Sequence, residues 1–319
     1  MSRTGKFATA AIAGLLLTVT ACSSQGGANN AAEGQDYTIA MVTHEAPGST
    51  FWDRVRNGAD DAAKQLGITL NYSNDPDAGK QATLIENAID SKVDGIAVTL
   101  ASPEAVGPAA AKAAEAGIPT VALNSGIDSY KNYGALMYFG SDEHLAGQSA
   151  GSRIAESGGG KALCVVHEGG NISLETRCAG VKESFPNTEN IQVNGSDLPS
   201  VQQTIGAKLQ EDSSITYVVT LDAGIATAAD QAKKDSGSQA KIVTFDLSPE
   251  VVKAIQGGDI EFSVDQQPYV QGYLAVESLW LQLSNGNDIG GGQPVLTGPS
   301  FVDAANIDEI AIFAENNNR

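Results

Sequence analysis

Twice in this chain an apolar run, a helical stretch and a second apolar run follow one another, and each time the second run ends on a polar residue. In the first half "GIAVTL" (Gly95–Leu100) leads into the Ala-rich Pro103–Ala116 and then into "PTVALN", which ends at Asn124. In the second half "ITYVVTL" (Ile215–Leu221) leads into Ala223–Lys234 and then into "KIVTFD", which ends at Asp246. Strands without polar alternation are covered on both faces, as in parallel sheets whose crossovers are helices. The flanking segments keep the pattern. Tyr37–Thr43 and Ile68–Tyr72 read as strands, and Lys80–Asp90 as a helix. Phe51–Leu66 places Trp52, Val55, Ala59, Ala62, Ala63 and Leu66 at helical spacing before Gly67 stops it. Lys161–Val166 opens the second series, with a helix near Cys178–Phe185. The spacing predicts an α/β fold of two Rossmann-like lobes with parallel sheets.

Ligands of such open sheets sit beyond the carboxyl ends of the strands. Two lobes facing each other therefore bring Asn124 and Asp246 to one cleft. The last part departs from the repeat: "FSVDQQPYVQG" (Phe262–Gly272) carries polar groups at a strand end. A helix over Gly272–Leu283, a Gly/Asn-rich loop over Asn285–Gln293 and an extended piece over Pro294–Val302 follow. Here the chain re-crosses between lobes, which predicts a hinge.

The amino-terminal residues speak to location. Arg3 and Lys6 precede an apolar, small-residue run from Phe7 to Ala21, too short for a confident membrane span. Residues 1–21 read as a signal peptide, and Val19-Thr20-Ala21-Cys22 resembles a bacterial lipobox that lipidates Cys22. An ordinary secretory signal with an incidental Cys is the alternative. Ser23–Gln35 is rich in Ser, Gly, Asn and Ala and reads as a tether, leaving a folded body from Asp36 attached by lipid only. A formal net charge of -19 argues against nucleic acid and anionic lipid as partners. Cys164 and Cys178 are then an even pair in an oxidising compartment, which fits a disulfide worth about 3 kcal/mol; two free buried thiols are the alternative.

Enzyme chemistry finds no support. Gly158-Gly-Gly-Lys161 lacks the phosphate-loop spacing and reads as a turn entering a strand. No nucleophile elbow or carboxylate-pair motif stands out. His44, His144 and His167 lack metal-ligand spacing, so neither a metal nor another cofactor is expected. A repressor of this fold would need a basic helix-turn-helix where the lipobox stands.

"YTIAMVTHEAPGSTFW", "DGIAV", "GIPTVALNS", "GSDEHLAG", "ETRCAG", "VVTLDAG", "VTFDLSPE" and "SVDQQPYVQG" occur in an order and spacing that resembles the ribose-binding-protein group of type I periplasmic binding proteins. The resemblance covers essentially the whole body. It implies lobes of residues 36–141 plus 267–299 and 142–266 plus 300–319, joined by a three-segment hinge. It also implies a monomer that closes on one ligand and delivers it to the permease and ATPase subunits of an ABC importer. Carried over residue by residue, Phe51 and Trp52 match the aromatic pair that sandwiches a sugar ring. Arg177 matches the cleft arginine, and Asp222, Asp246 and Gln266 match further polar positions. His44 falls where a polar residue often meets a ligand hydroxyl, while Glu143 and Asn171 lie in loops bordering the cleft. Other roles compete: adjacent Phe51 and Trp52 cannot share one helical face, Arg177 could pair with Glu175 or Glu183, and Asp222 could cap the following helix.

Hydroxyls donate and accept, so carboxylates, amides and a guanidinium suit a polyol, and aromatic faces cover its C–H surface. Asn124-Ser125 stands where the family often has Asp-Arg. That exchange removes a carboxylate and a guanidinium, which argues against a standard ribopyranose and for a ligand such as a linear sugar alcohol. The expected function is capture of a monosaccharide or sugar alcohol. A nucleoside, a furanosyl signalling molecule, or a sugar sensed through a membrane receptor is the alternative cargo.

Overall fold

A computed structural model describes residues 36–319; the signal-like segment 1–21, Cys22 and the stretch 23–35 lie outside the described residues. From Thr38 strand and helix alternate: β1 (Thr38–Thr43), α1 (Thr50–Leu66), β2 (Thr69–Asn74), α2 (Ala78–Asp90), β3 (Gly95–Val98), α3 (Pro103–Glu115), β4 (Thr120–Leu123) and β5 (Tyr138–Ser141). The alternation restarts with α4 (Glu143–Glu156), β6 (Lys161–Val166), α5 (Ile172–Ser184), β7 (Thr188–Gln192) and α6 (Leu198–Glu211). It continues through β8 (Ile215–Thr220), α7 (Ala223–Ser236), β9 (Lys241–Phe245), α8 (Pro249–Gly257) and β10 (Ile260–Asp265). The chain closes with α9 (Pro268–Asn285), β11 (Val295–Gly298), β12 (Ser300–Asp303) and α10 (Ile307–Glu315).

These strands form two six-stranded sheets, ordered β11-β5-β4-β3-β1-β2 and β12-β10-β9-β8-β6-β7. The orders are the same once β6 to β10 are laid on β1 to β5, so each half builds the same lobe. All pairings are parallel except β10 with β12. Alternate residues of each central strand feed two cores. Ile39 and Met41 pack with Phe51, Val55 and α9, whereas Ala40 and Val42 pack with Ile85 and Val106 on the other face. In the second lobe Leu163 and Val165 face one core, and Ala162 and Cys164 the other.

The lobes exchange helices. α4 follows β5 but packs on α5, and α9 follows β10 but packs on α1. The chain thus passes between lobes at Ser141–Asp142, at Asp265–Pro268 and at Gly298–Ser300. Pro294–Val302, expected as one extended piece, is two strands in different sheets. Pro299, joined to Gly298 by a cis peptide, has no N–H to extend a ladder and marks the break.

Two local features fix α5. It begins at Ile172, ahead of the expected start near Cys178, because Asn171 caps it: its Oδ1 accepts the Ser173 N–H at 3.0 Å. α5 also lies very close to α4. A Cβ on Gly147 would stand 2.1 Å from the Arg177 carbonyl oxygen, and one on Gly180 2.3 Å from that of His144. The Cys164–Cys178 disulfide, with a Cα–Cα distance of 5.9 Å, then ties α5 to β6.

Candidate functional site

The carboxyl ends of both sheets meet across a small cavity of about 40 Å³, room for a few water-sized groups. The first lobe contributes His44 after β1, Phe51 and Trp52 in the opening turn of α1, and Asn124 after β4. The second contributes Asp222 after β8, Asp246 after β9, Gln266 after β10, and Arg177 from α5. Eight of the nine sequence-expected ligand residues therefore line one cavity. Phe51 and Trp52 both reach it because a helix end, rather than one helix side, faces the cleft. Trp52 stands edge-on to Phe51 at 5.1 Å and to His44 at 4.8 Å.

Ser125 is the exception. It is fully buried, and its hydroxyl donates to Asn124 Oδ1 at 2.8 Å, so it orients the amide from behind. Asn124 and Asp246 adopt left-handed backbone conformations, with φ of 64° and 65°. Short polar side chains tolerate that region better than other non-glycine residues. The kink stops each strand and turns the side chain into the cleft.

Arg177 is 3% exposed and does not pair with Glu175 or Glu183. It grips Glu143 bidentately, through Nε to Oε2 and through Nη2 to Oε1 at 3.0 Å. Glu143, expected in a bordering loop, is the first residue of α4 and is buried beneath the cleft. Burial raises its carboxyl above the usual range, and the Arg177 guanidinium opposes that rise. Burial alone would lower Arg177, but Glu143, with Asp246 and Tyr138 behind it, offsets burial and holds the guanidinium high.

From this pair a hydrogen-bond chain runs across the hinge. Arg177 Nη2 donates to Gln266 Oε1 at 3.1 Å, and Gln266 Nε2 donates to Asp246 Oδ1 at 2.9 Å. Gln271 Nε2 donates to the Gln266 carbonyl at 3.1 Å, and Asn124 Nδ2 donates to Gln271 Oε1 at 3.4 Å. Burial pushes the Asp246 carboxyl up to about 8; Arg177 opposes the shift, and Asp222 adds to it. Asp222 is both a helix cap and a lining residue. Its Oδ1 caps α7, accepting from Gly224 N at 2.7 Å and Ile225 N at 3.2 Å, while the side chain also lines the cavity.

His167 and Glu168 also line the cavity and escape a reading by motif. A signal for them exists in the sequence: β1 is followed by His44-Glu45, and its counterpart β6 by His167-Glu168. Glu168 Oε2 accepts from Asn171 Nδ2 at 2.7 Å and lies 3.9 Å from His44 Nε2. Burial would raise Glu168, but His44, His167 and Asn171 together hold it below the usual carboxylate range. Burial lowers His44, with Glu168 opposing.

The lobes touch at the cavity's edge. His44 Nε2 lies 3.4 Å from Asn171 Nδ2, Ile172 N donates to the Ala101 carbonyl at 3.1 Å, and Ser102 Oγ donates to the Gly170 carbonyl at 3.4 Å. The two lobes are thus hydrogen-bonded to one another beside the cavity. Among the described residues no cluster of His, Cys, Asp and Glu is arranged to hold a metal ion, and no helix is long and apolar enough to cross a membrane.

Comparison with known proteins gives consistent matches. A family model described as periplasmic binding protein domain matches residues 39–288. A carbohydrate transporter from Acidothermus cellulolyticus 11B, solved in complex with myo-inositol, is 53% identical with a TM-score of 0.88, over 89% of this chain and 99% of that one. The xylose/arabinose-binding protein XylF of Sulfolobus acidocaldarius is 25% identical over 77% of this chain, which spans 66% of that protein's length, just under two thirds. The ribose import binding protein RbsB of Haemophilus influenzae is 28% identical, over 78% of this chain and 86% of its own.

Proposed function

Because the chain belongs to the periplasmic binding protein family and captures a sugar or polyol for an importer, we propose that its cargo is a cyclic polyol of the myo-inositol type. The observation that carries this reading is the Acidothermus cellulolyticus protein: more than half its residues are identical, and it holds myo-inositol. The ring replaces the linear alcohol expected from the exchange at Asn124 and Ser125. A cyclitol has hydroxyls all round and no ring oxygen, so it needs groups that accept as well as donate on every side. Asp222 and Glu168 accept; Asp246, whose buried carboxyl keeps its proton up to about pH 8, can donate or accept, as can Asn124, Gln266 and His44; Trp52 and Phe51 cover the C–H faces.

In this reading these cleft residues are the ligand contacts, and residues 36–141 with 267–299 close against 142–266 with 300–319. The chain works outside the cytoplasm, as its family does. Lipidated Cys22 holds it at the membrane as a monomer, and the permease and ATPase subunits of an ABC importer receive the cargo. It binds rather than converts its ligand, as its relatives do.

A thermal-shift screen of the purified protein against cyclitols, aldoses, linear alditols and nucleosides tests the cargo. A ligand at 100 times its Kd adds about 2.7 kcal/mol of stability, a visible shift. Myo-inositol is expected to give the largest one. A shift only with aldoses or nucleosides would retain the binding role and refute the cyclitol.

A further inference from the structure

We propose that Arg54 and Arg319 are positioning residues of the binding cleft: with Asn317 they form a strap that holds the first lobe on the second and slows ligand release without touching the ligand. The strap starts in the second lobe. Ile307 and Ala314 of α10 are buried in that lobe's core with Val251 and Ile255 of α8. Asn317 then takes a left-handed backbone, with φ of 55°, and turns the chain out of the helix. Beyond that turn the contacts change lobe. The Asn317 carbonyl accepts from Asn57 Nδ2 of α1 at 3.3 Å, and the Arg319 carbonyl accepts from Arg54 Nε of α1 at 2.6 Å. The Arg319 side chain reaches back, its Nε donating to Asp265 Oδ2 at 2.7 Å where β10 enters the crossover. The other Asp265 oxygen accepts from Gln267 N at 2.9 Å. Arg319 thus ties a first-lobe helix to a second-lobe strand end and to the hinge.

Nothing apolar orders this segment. Residues 315–318 are exposed, whereas both partners of Arg319 are buried: Asp265 fully, and Arg54 to 1% exposure. Ordering exposed chain costs conformational entropy, so the polar bonds must supply the gain. Arg54 passes the tie to the cleft. Its Nη1 donates to the Thr50 carbonyl at 2.7 Å, in the turn of α1 that presents Phe51 and Trp52 to the cavity. Its Nη2 has no hydrogen-bond partner among the described residues. Burial holds the guanidinium below the ordinary arginine value, against the pull of Asp246, Asp265 and Asp222 in the second lobe and of neighbouring Asp53. Arg54 is therefore held across the lobe boundary by charge and by the Arg319 carbonyl. Parting the lobes weakens both, and a captured ligand leaves by that motion. Neither Arg54 nor Arg319 lines the cavity.

The test is stopped-flow binding of myo-inositol, a probe that rests on the cyclitol reading, to the purified protein, followed by tryptophan fluorescence. Arg319→Ala is expected to raise the dissociation rate about tenfold and to change the association rate little. Arg54→Met should act in the same direction. Arg319→Lys keeps a cation for Asp265 and should restore much of the slow release. An unchanged dissociation rate in Arg319→Ala, as a purely structural role would leave it, overturns the inference even if that variant is less stable. If the wild type ignores myo-inositol, the cyclitol reading fails and small-angle scattering of the ligand-free proteins decides the strap. A larger radius of gyration in Arg319→Ala than in the wild type then upholds it, and equal radii overturn it.

Discussion

Asn124 and Asp246 are counterparts: each is the first residue beyond an equivalent strand, β4 or β9, and each holds a left-handed backbone. The two halves of the protein present an amide and a carboxylate from the same point of the same fold. The cleft is therefore symmetric in backbone and asymmetric in side-chain chemistry. Removing each side chain should reflect that difference. At pH 9, where Asp246 has given up its proton, Asp246→Ala removes hydrogen bonds to a charged acceptor, worth about 1.5–3 kcal/mol, so affinity should fall by roughly 10- to 100-fold. Asn124→Ala removes neutral bonds worth about 1 kcal/mol and should cost less than tenfold. Equal losses by titration calorimetry would refute the asymmetry.

The Asp246 carboxyl also makes stability depend on pH. Its value in the folded protein is pushed up to about 8 from an ordinary 3.8. Between those values the native state holds a proton that the unfolded chain has released. Stability from this group is thus fully present below about pH 4 and is lost as pH rises through 8. Urea unfolding of the ligand-free protein at pH 6 and pH 9 should show a loss toward high pH, and Asp246→Asn should flatten it. A wild-type protein as stable at pH 9 as at pH 6 would contradict the assignment.

Arg177 and Glu143 should behave as a unit. Arg177→Leu leaves Glu143 buried without its cation, and breaking a buried pair in this way costs about 3–5 kcal/mol. Adding Glu143→Leu should recover much of that loss, since apolar replacement of both partners is often near neutral. Chemical denaturation of the single and double variants checks this. A double variant less stable than the single would mean the two residues are not coupled as described.

The Cys164–Cys178 bridge spans 14 residues of sequence and fastens the helix that carries Arg177. The paired Cys164→Ala and Cys178→Ala variant should lose about 3 kcal/mol in the chain-entropy account. Ligand affinity should change little, because the α4 and α5 backbones remain pressed together at Gly147 and Gly180. A protein of unaltered stability would show that the bridge constrains nothing.

Much of this was legible from residue order, because apolar strands covered on both faces and helices ended by glycine leave little freedom in an α/β fold. The strand ends at Asn124 and Asp246 were legible for the same reason. Other features depend on contacts distant in sequence. Glu143 becomes the partner of Arg177 only because α4 crosses to the second lobe, 34 positions away from it in the chain. Ser125 reads as a ligand contact by position, yet the turn after β4 sends its hydroxyl to Asn124. Glu168 was hidden because its meaning lies in the repeat of His-Glu between halves, visible once β6 is laid on β1. The break at Pro299 needed the two sheets to be seen apart.

The central claim, capture of a cyclic polyol between Asn124 and Asp246, is tested most directly by isothermal titration of the purified protein with myo-inositol. The account predicts saturable binding at one site per chain that, at pH 9, Asp246→Ala weakens by at least about tenfold. Absence of binding to myo-inositol, or binding that Asp246→Ala leaves unchanged, would contradict it.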